Sequence, residues 1–200
     1  SKLEQGGITP QSGEILVTGA SGGVGSLAVA LLARAGFRVL AASGKEEAAP
    51  MLKDLGAVKI LSRQDIHDTT TKPLLAQRWA GAIDTVGGEV LNTVLRATAR
   101  HGVVACCGNV ASAELNMTVY PFILRGVGLM GADSATSTME TRKVIWRKLA
   151  DEWKIDDRLL ERMSFEVGLD DLEEQIGLIL RSRLKGRCLV NLERGNHTPE

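Results

Sequence analysis

Short apolar runs alternate with longer helix-forming stretches over the first two thirds of the chain. Six runs have the length and apolar content of buried strands, at residues 14–18, 37–43, 58–61, 80–86, 102–107 and 126–131. The intervening stretches predict helices at residues 26–35, 45–55 and 89–99. Short apolar strands alternating with helices of about ten residues are typical of a parallel sheet covered on both faces. The pattern therefore predicts a doubly wound α/β fold.

The pattern changes after residue 140. Residues 141–153 predict a charged amphipathic helix with a packing stripe of Val144, Ile145, Leu149 and Trp153. A strand, a helix and a last strand are then predicted at residues 164–167, 169–183 and 187–192. We expect a main domain over residues 1–160 that includes a leading linker, a C-terminal segment over 161–192 and a frayed tail over 193–200.

The run GASGGVG, Gly19 to Gly25, joins the first predicted strand to the first predicted helix. A dinucleotide-binding turn needs a small residue at a tight bend, one without a side chain at the pyrophosphate, and one that lets helix and strand pack closely. Ala20, Gly22 and Gly25 have this A-x-G-x-x-G spacing. The pyrophosphate would lie at the amino end of the helix. Because the motif lies between a strand and a helix in a βα series, it predicts a Rossmann-type cofactor domain.

The same residues also contain G-x-S-x-G, the turn that presents the nucleophile of serine hydrolases, with Ser21 as the candidate nucleophile. A hydrolase would need a histidine late in the fold. His101 lies inside the βα series and His197 in the tail, so neither is well placed. Serine hydrolysis remains an alternative of a different class. A phosphate-binding P-loop is excluded because no Gly-Lys-Ser/Thr follows at the required spacing.

The end of the second predicted strand indicates which nicotinamide cofactor is bound. NAD sites usually have Asp or Glu there to bind the ribose 2′-hydroxyl. This chain instead has Ser43, Gly44 and Lys45, which can bind a 2′-phosphate through charge-assisted hydrogen bonds. Glu46 and Glu47 follow directly and make the local field less positive. NADP is therefore predicted as the cofactor. In the alternative interpretation, Lys45 is only a solvated residue at the start of a helix.

Composition narrows the remaining function classes. The chain has 24 Lys and Arg and 24 Asp and Glu residues, so no basic excess favours nucleic acid or an anionic membrane as a partner. No apolar stretch is long enough to span a bilayer, and a cytoplasmic protein is expected. Cys106, Cys107 and Cys188 are predicted to be buried thiols in a reducing compartment. No cluster has metal-ligand spacing, so no metal site is expected.

Four segments together resemble a known family: VTGASGGVGSLAVALLARAG, SGKEEAAPMLKDLGA, WAGAIDTVGG and PFILRGVGLMGADS. They are similar to the medium-chain dehydrogenase/reductase superfamily, in its zinc-independent quinone-oxidoreductase-like branch, and most resemble the acryloyl-CoA reductase group. The resemblance covers residues 8–192. It implies an NADPH-dependent oxidoreductase that transfers hydride to the β carbon of an acryloyl thioester, quinone or enone, with protonation at the α carbon. A non-catalytic NADP-binding module remains an alternative.

The resemblance also implies where the cofactor lies. The pyrophosphate would lie against the glycine turn and the 2′-phosphate against residues 43–45. Residues after the fourth and fifth strands would border the adenosine and the nicotinamide ribose. Residues after the sixth strand would lie beside the carboxamide, and one arginine would reach the phosphates. Each of the last three groups has a competing interpretation. Thr85 and Asn109 would only make turn hydrogen bonds, Asp133 and Ser134 would be ordinary loop residues, and Arg187 would be a solvated arginine. The implied cofactor-binding residues are Ser21, Gly22, Gly23, Val24, Ser43, Gly44, Lys45, Thr85, Val86, Gly108, Asn109, Asp133, Ser134 and Arg187.

The sequence also departs from the family pattern. Family members have a preceding β-barrel domain that forms the other wall of the substrate cleft, and residues 161–192 resemble the piece that returns to it. We therefore expect a cofactor-domain fragment with exposed apolar area near both ends. The resemblance also implies a homodimer joined through the sixth strand. No catalytic residue can be assigned, since the chain offers only Tyr120, which is expected to be a core aromatic, and three poorly placed histidines. Arg125, alone among apolar residues, should have a partner or a route to water.

Overall fold

A computed structural model describes residues 2–194. Its main feature is a six-stranded, entirely parallel sheet with the strand order β3-β2-β1-β4-β5-β6. This is the order of a dinucleotide-binding fold, in which ligands bind where the strand order reverses, here between β1 and β4. The doubly wound α/β prediction is confirmed. The strands are β1 Glu14–Val17, β2 Arg38–Ala42, β3 Ala57–Leu61, β4 Trp79–Asp84, β5 Thr98–Cys106 and β6 Gly128–Gly131.

Eight α-helices surround and follow this sheet in the described part of the chain. They are α1 Lys2–Gln5, α2 Gly23–Arg34, α3 Ala49–Asp54, α4 Gly88–Ala97, α5 Tyr120–Arg125, α6 Met139–Ala150, α7 Asp157–Met163 and α8 Leu172–Leu180. A separate two-stranded parallel sheet pairs β7 Ser164–Val167 with β8 Arg187–Val190. None of the described helices is long and apolar enough to cross a bilayer.

Element boundaries depart from the predictions where glycine and proline intervene. The predicted helix over 45–55 begins instead as a 3-10 turn, Glu46–Ala48, and α3 starts at Ala49 with Pro50 in its first turn. Proline has no N–H to donate to a preceding turn, so it suits only a helix start. The sixth strand begins at Gly128 rather than at Gly126, because Gly126 has φ = 61° and ends α5.

The core lies on both faces of the sheet. One apolar cluster packs around Ile15, Val17 and Val39, and the other around Leu16, Val104 and Trp79. Alternate residues of one strand therefore serve opposite layers, as the period of two in a strand requires. The Trp79 indole N–H donates to the Val94 carbonyl oxygen at 3.1 Å and to Thr98 Oγ1 at 3.2 Å, which satisfies its polar atom in the core.

Several burial predictions were wrong. In α6 no residue is buried, and Val144 and Ile145 of the expected packing stripe are 53% and 44% exposed, whereas Leu149 and Trp153 are half-buried. Tyr120 is 44% exposed, since it opens a short helix at the sheet edge and does not enter the core. Cys107 is exposed and Cys106 and Cys188 are half-buried, and two of the three, Cys107 and Cys188, line an open cleft.

The expected exposed apolar area is present at one end only. Leu169, Leu180 and Leu189 are exposed in the C-terminal segment, as predicted. Near the other end Leu3 and Ile8 are buried, because α1 packs on β5 so closely that a Cβ on the neighbouring Gly6 would lie 2.4 Å from Val103. The first helix therefore belongs to the core. The expected tail beyond residue 194, with His197, lies outside the described residues.

Candidate functional site

A cleft of about 940 Å³ opens at the carboxyl ends of β1, β2, β4 and β5. Parallel α/β sheets bind their ligands at this edge. The C-terminal segment around Leu184 closes one side of it. The cleft brings together twelve of the fourteen predicted cofactor-binding residues, which are Ser21, Gly22, Gly23, Val24, Ser43, Gly44, Lys45, Thr85, Val86, Gly108, Asn109 and Arg187.

The glycine turn depends on glycine at two positions for different reasons. Gly19 has φ = 58°, a left-handed conformation that residues with side chains rarely adopt. Gly25 is held so close to the turn that a Cβ would lie 2.3 Å from the Gly19 carbonyl oxygen. The amide of Ser26 donates to the Gly22 carbonyl at 2.9 Å and so begins α2. The preceding amides of the first turn have no partner within the helix and are available to an anion.

The C-terminal segment crosses directly over this turn. The Gly186 amide donates to the Ser21 carbonyl at 2.8 Å, which fixes the start of β8 to the glycine turn. The Arg187 side chain then lies on Gly23, where a Cβ would be 2.6 Å from Arg187 Nε. A guanidinium and the amino end of α2 therefore meet at one place, which suits a pyrophosphate.

A hydrogen-bonded group of residues follows β2. Ser43 Oγ donates to Ser21 Oγ at 2.9 Å and accepts from the Lys45 amide at 3.0 Å. The Lys45 ammonium donates to the Leu184 carbonyl at 2.7 Å. Burial lowers the pKa of Lys45, and the charges of Lys185 and Arg63 lower it further against the opposing effect of Glu47. No carboxylate among the described residues lines the cleft, so this end of it favours an anion.

Arg63 is a cleft residue that the sequence reasoning missed. It follows β3 by two residues, and its guanidinium lies beside Gly44, where a Cβ would be 3.0 Å from Nη2. The carboxyl end of β3 neighbours that of β2 in the sheet, so Arg63 reaches the same point as Lys45. The signal was available, because the rule that placed residues 43–45 at this edge also applies to the residues after the third strand.

Asp84 is a second residue that the sequence reasoning did not single out. The Thr18 hydroxyl donates to Asp84 Oδ1 at 2.6 Å, and the Gly87 amide donates to Oδ2 at 2.8 Å. Burial raises the pKa of Asp84, and these hydrogen bonds oppose the rise. Thr85 completes the link, since its hydroxyl donates to the Thr18 carbonyl at 3.0 Å. This hydrogen bond joins the ends of two strands and is not the turn hydrogen bond of the competing interpretation, and Thr85 also lines the cleft.

Gly108 and Asn109 border the cleft after β5. A Cβ on Gly108 would lie 2.5 Å from the Thr85 carbonyl oxygen, so the two loops are in direct contact. Cys107 lies beside them and its thiol donates to the Asp84 carbonyl oxygen at 3.4 Å. Although Cys107 as a residue is exposed, desolvation of its thiol by the surrounding loops is the main cause that raises its pKa, which favours the neutral thiol.

The structure does not bring Asp133 and Ser134 to the cleft. Asp133 instead organises its own turn, with its carboxylate accepting from the Thr136 hydroxyl, the Thr136 amide at 3.1 Å and the Ala135 amide at 2.9 Å. These hydrogen bonds lower the pKa of Asp133. The Ser134 carbonyl accepts from Arg142 at 2.8 Å. Both residues thus make the ordinary loop contacts of their competing interpretation.

Arg125 has the partners that its position demanded. Its guanidinium donates to the carbonyls of Arg96 at 2.9 Å, Thr98 at 3.2 Å and Leu75 at 2.5 Å. Three chain segments are therefore joined through one side chain. The expectation that Arg125 has a partner is confirmed, and its partners are backbone carbonyl oxygens.

The hydrolase alternative receives no support from the described residues. Ser21 is buried and its hydroxyl is bonded to Ser43. No histidine of residues 2–194 lines the cleft. His101 lies on β5 five residues before Cys106, about 16 Å along the strand from the cleft edge. His197 lies outside the described residues, so no base is found beside Ser21.

The described residues also give no metal site and no clear acid. Among residues 2–194 no three His, Cys, Asp or Glu residues are grouped so as to hold a metal ion. Tyr120 does not line the cleft. These residues can therefore hold an anionic dinucleotide, but within the described chain no side chain is placed to polarise or protonate a substrate.

Comparisons with known proteins agree with this geometry. Residues 23–151 match the family model described as zinc-binding dehydrogenase. The putative quinone oxidoreductase YhfP of Bacillus subtilis is 44% identical over 191 residues, which are 96% of this chain and 58% of YhfP. A crystal structure of YhfP with NAD bound gives a TM-score of 0.89 at 43% identity, over 96% of this chain and 58% of that one.

Two further relatives have similar overlap. The probable acrylyl-CoA reductase AcuI of Escherichia coli is 43% identical over 190 residues, covering 95% of this chain and 57% of AcuI. The yhdH oxidoreductase of Salmonella enterica, solved in complex with NADP, gives a TM-score of 0.90 at 43% identity and covers 96% of this chain and 58% of that chain. The chain therefore spans somewhat more than half the length of the relatives it matches.

Proposed function

The chain belongs to the zinc-binding dehydrogenase family, and from this premise we propose that it forms the cofactor-binding part of an NADP(H)-dependent reductase of activated carbon–carbon double bonds. The relatives named as a quinone oxidoreductase and an acrylyl-CoA reductase support this class of reaction. The observation that carries the proposal is one cleft in which the glycine turn, Lys45 and Arg63 lie together.

The residues present fit NADP. The first-turn amides of α2 and the Arg187 guanidinium would hold the pyrophosphate. Ser43, Lys45 and Arg63 would hold the 2′-phosphate, which is an anion that NAD lacks. Gly108 and Asn109 would border the nicotinamide ribose. Asp133 and Ser134, which the family resemblance would put beside the carboxamide, make loop contacts away from the cleft in this structure.

When bound, NADPH supplies the hydride for the reduction. The chain's own residues position it by electrostatics and shape. The buried hydrogen bonds between Thr18, Asp84 and Thr85 hold the ends of β1 and β4 together under the cofactor site. This kind of preorganisation lowers the cost of ordering the site when a ligand binds. Zinc has no part in the proposal, since the described residues offer no group of ligands for it.

The substrate proposed is a small activated alkene: an acyl-CoA thioester, a quinone or an enone. We also propose cytoplasmic action, for which the three free cysteines are suited, and a homodimer through β6. β6 is the edge of the sheet, and Ile123, Leu124 and Leu129 beside it are exposed. Analytical ultracentrifugation tests the dimer. A monomer at all concentrations would contradict it.

Separate titrations with NADPH and NADH test the proposal, with nicotinamide fluorescence as the readout. We expect saturable NADPH binding at least tenfold tighter than NADH binding, since one phosphate held by charge-assisted hydrogen bonds contributes on the order of 1.5–3 kcal/mol. Absence of NADPH binding would overturn the proposal. Hydrolysis of activated esters that is lost in Ser21→Ala would support the serine hydrolase instead.

Turnover separates the reductase from a non-catalytic NADP-binding module. We expect the 200-residue chain to bind NADPH but to reduce acryloyl-CoA poorly, because no described side chain is placed to polarise the carbonyl or supply the proton. NADPH oxidation at 340 nm with acryloyl-CoA and a quinone measures this. Efficient turnover by this chain alone would contradict the expectation of weak unaided activity and would favour the reductase over the module.

A further inference from the structure

We propose that residues 181–187 form a strap that holds the 2′-phosphate end of the cofactor, with Arg181 as a further residue that selects NADPH over NADH. This inference rests on the proposed function and assigns part of its cofactor specificity to the C-terminal segment. The strap connects α8 to β8. Its residues that line the cofactor cleft are Arg181, Ser182, Leu184, Gly186 and Arg187.

Two hydrogen bonds attach the strap to the edge of the sheet. The Gly186 amide donates to the Ser21 carbonyl at 2.8 Å, and the Lys45 ammonium donates to the Leu184 carbonyl at 2.7 Å. Gly186 is required at its position, because its φ is 63° and a Cβ there would collide with the Met163 carbonyl oxygen. The strap is therefore held between the glycine turn and the residues that follow β2.

The order of contacts along the strap matches the adenosine end of NADPH. Arg187 lies at Gly23, where the pyrophosphate is proposed, and Leu184 lies at Lys45, where the 2′-phosphate is proposed. Three residues span about 10 Å when extended. One ribose carries both of these phosphate groups, so a segment of this length can contact both. Arg181, three residues before Leu184, then lies at the 2′-phosphate end of the cleft.

Arg181 has donors that no described residue uses. It is exposed, and its Nε donates to the Gly177 carbonyl of its own helix at 3.0 Å. An arginine side chain has five N–H donors, and among residues 2–194 Arg181 has no ion pair and no second acceptor for its guanidinium. Ser182, with φ = 55°, ends α8 and turns the chain into the strap. The remaining donors of Arg181 are therefore free to bind a ligand at the rim of the cleft.

The cations at this end of the cleft need an anion between them. Lys45, Arg63 and Arg181 line the cleft, whereas no carboxylate of the described chain does. Burial is the main cause that lowers the pKa of Lys45. The charges of Lys185 and Arg63 lower it further, against the opposing charge of Glu47. A 2′-phosphate carries close to two negative charges at neutral pH and would relieve this repulsion, which the 2′-hydroxyl of NADH cannot do.

Titrations of the full 200-residue chain with NADPH, NADH, adenosine 2′-monophosphate and adenosine 5′-monophosphate test the strap. Arg181→Ser should weaken binding of NADPH and of the 2′-monophosphate about tenfold, because both carry the 2′-phosphate, and leave the other two within about twofold. Arg181→Lys keeps the charge and should retain most of the preference for NADPH. Arg183→Ser is the matched control and should bind all four ligands unchanged, since exposed Arg183 belongs to the strap but does not line the cleft.

Hydrogen exchange provides a second readout that a purely structural arginine would not change. At saturating cofactor, the amides of residues 181–187 should exchange more slowly with NADPH than with NADH, and Arg181→Ser should abolish this difference. Equal exchange with both cofactors in the unaltered chain would overturn the strap.

The titrations also separate the strap from the proposed function. If Arg181→Ser binds NADPH and NADH as the unaltered chain does, or weakens both equally, the strap is overturned, while an NADPH preference of the unaltered chain leaves the proposed function standing. If neither nicotinamide cofactor binds but Arg181→Ser weakens binding of the 2′-monophosphate, only the proposed function fails. Absence of binding by all four ligands would overturn both.

Discussion

The guanidinium of Arg187 lies on the backbone of Gly23, with Nε 2.6 Å from the point that a Cβ at position 23 would occupy. The two residues are 164 positions apart, and they meet because the Gly186 amide is bonded to the Ser21 carbonyl. Gly23 is thus required by a distant side chain, whereas Gly25 is required by its own turn, where a Cβ would meet the Gly19 backbone.

Gly23→Ala should therefore weaken cofactor binding without unfolding the protein. Alanine is acceptable in a first helical turn, and the end of a flexible arginine can move away, so stability should change by less than about 1 kcal/mol. The displaced guanidinium should raise the Kd for NADPH about tenfold, the loss of roughly one charge-assisted hydrogen bond. Fluorescence titration and urea denaturation measure the two effects. Gly128→Ala on β6, whose Cβ would make an ordinary 3.6 Å contact, is the control.

Arg63→Ser should reduce the preference for NADPH over NADH. The arginine lies beside Gly44 and Lys45 at the proposed 2′-phosphate position. Its loss should weaken NADPH binding about tenfold and leave NADH binding within about twofold, because only NADPH carries the phosphate. Parallel titrations with both cofactors measure this, with Lys53→Ser as a control that removes an exposed positive charge elsewhere. Equal weakening for both cofactors would place Arg63 away from the 2′-phosphate.

Asp84 should make stability depend on pH. Burial raises its pKa in the folded protein, so between the ordinary and the raised value the native state binds more protons than the unfolded chain. The contribution of Asp84 to the free energy of unfolding is therefore greatest below its ordinary pKa and falls as pH rises through the raised pKa.

Asp84→Asn should remove that component of the slope. Urea denaturation at a series of pH values from about 4 to about 7 measures it. Asp170→Asn, which alters an exposed carboxylate, should retain the slope of the unaltered chain. A slope that persists in Asp84→Asn would mean that another group causes it.

Arg125→Met should destabilise the fold by about 2–4 kcal/mol, because it leaves carbonyls of Leu75, Arg96 and Thr98 without their donor. Methionine keeps the apolar packing of the arginine stem. Arg100→Met is a matched control, since exposed Arg100 donates its guanidinium to one carbonyl, that of Leu124 at 2.9 Å. Urea denaturation should show little change for it. If the two variants lowered the free energy of unfolding equally, the three carbonyls would be hydrogen-bonded by water once the arginine is removed.

Residues close in sequence were predictable where local geometry decides the structure. The six strands, the strand–turn–helix at Gly19 to Gly25 and the group Ser43 to Lys45 could be read from apolar periodicity and turn chemistry. Predictions that depended on which surface covers a residue were less successful. Tyr120 and the α6 stripe were placed in a core because they are apolar, but apolar character does not say whether a neighbour is present.

The amino-acid sequence by itself determined the fold class, the position of the glycine turn and the absence of a carboxylate after the second strand. Only the tertiary structure decided that Arg63 and Arg187 enter the same cleft and that Asp84 and Thr18 join two strands beneath it. The reason is physical: turns and strands follow from interactions over a few residues, whereas a binding site is assembled from strand ends that meet only when the sheet closes.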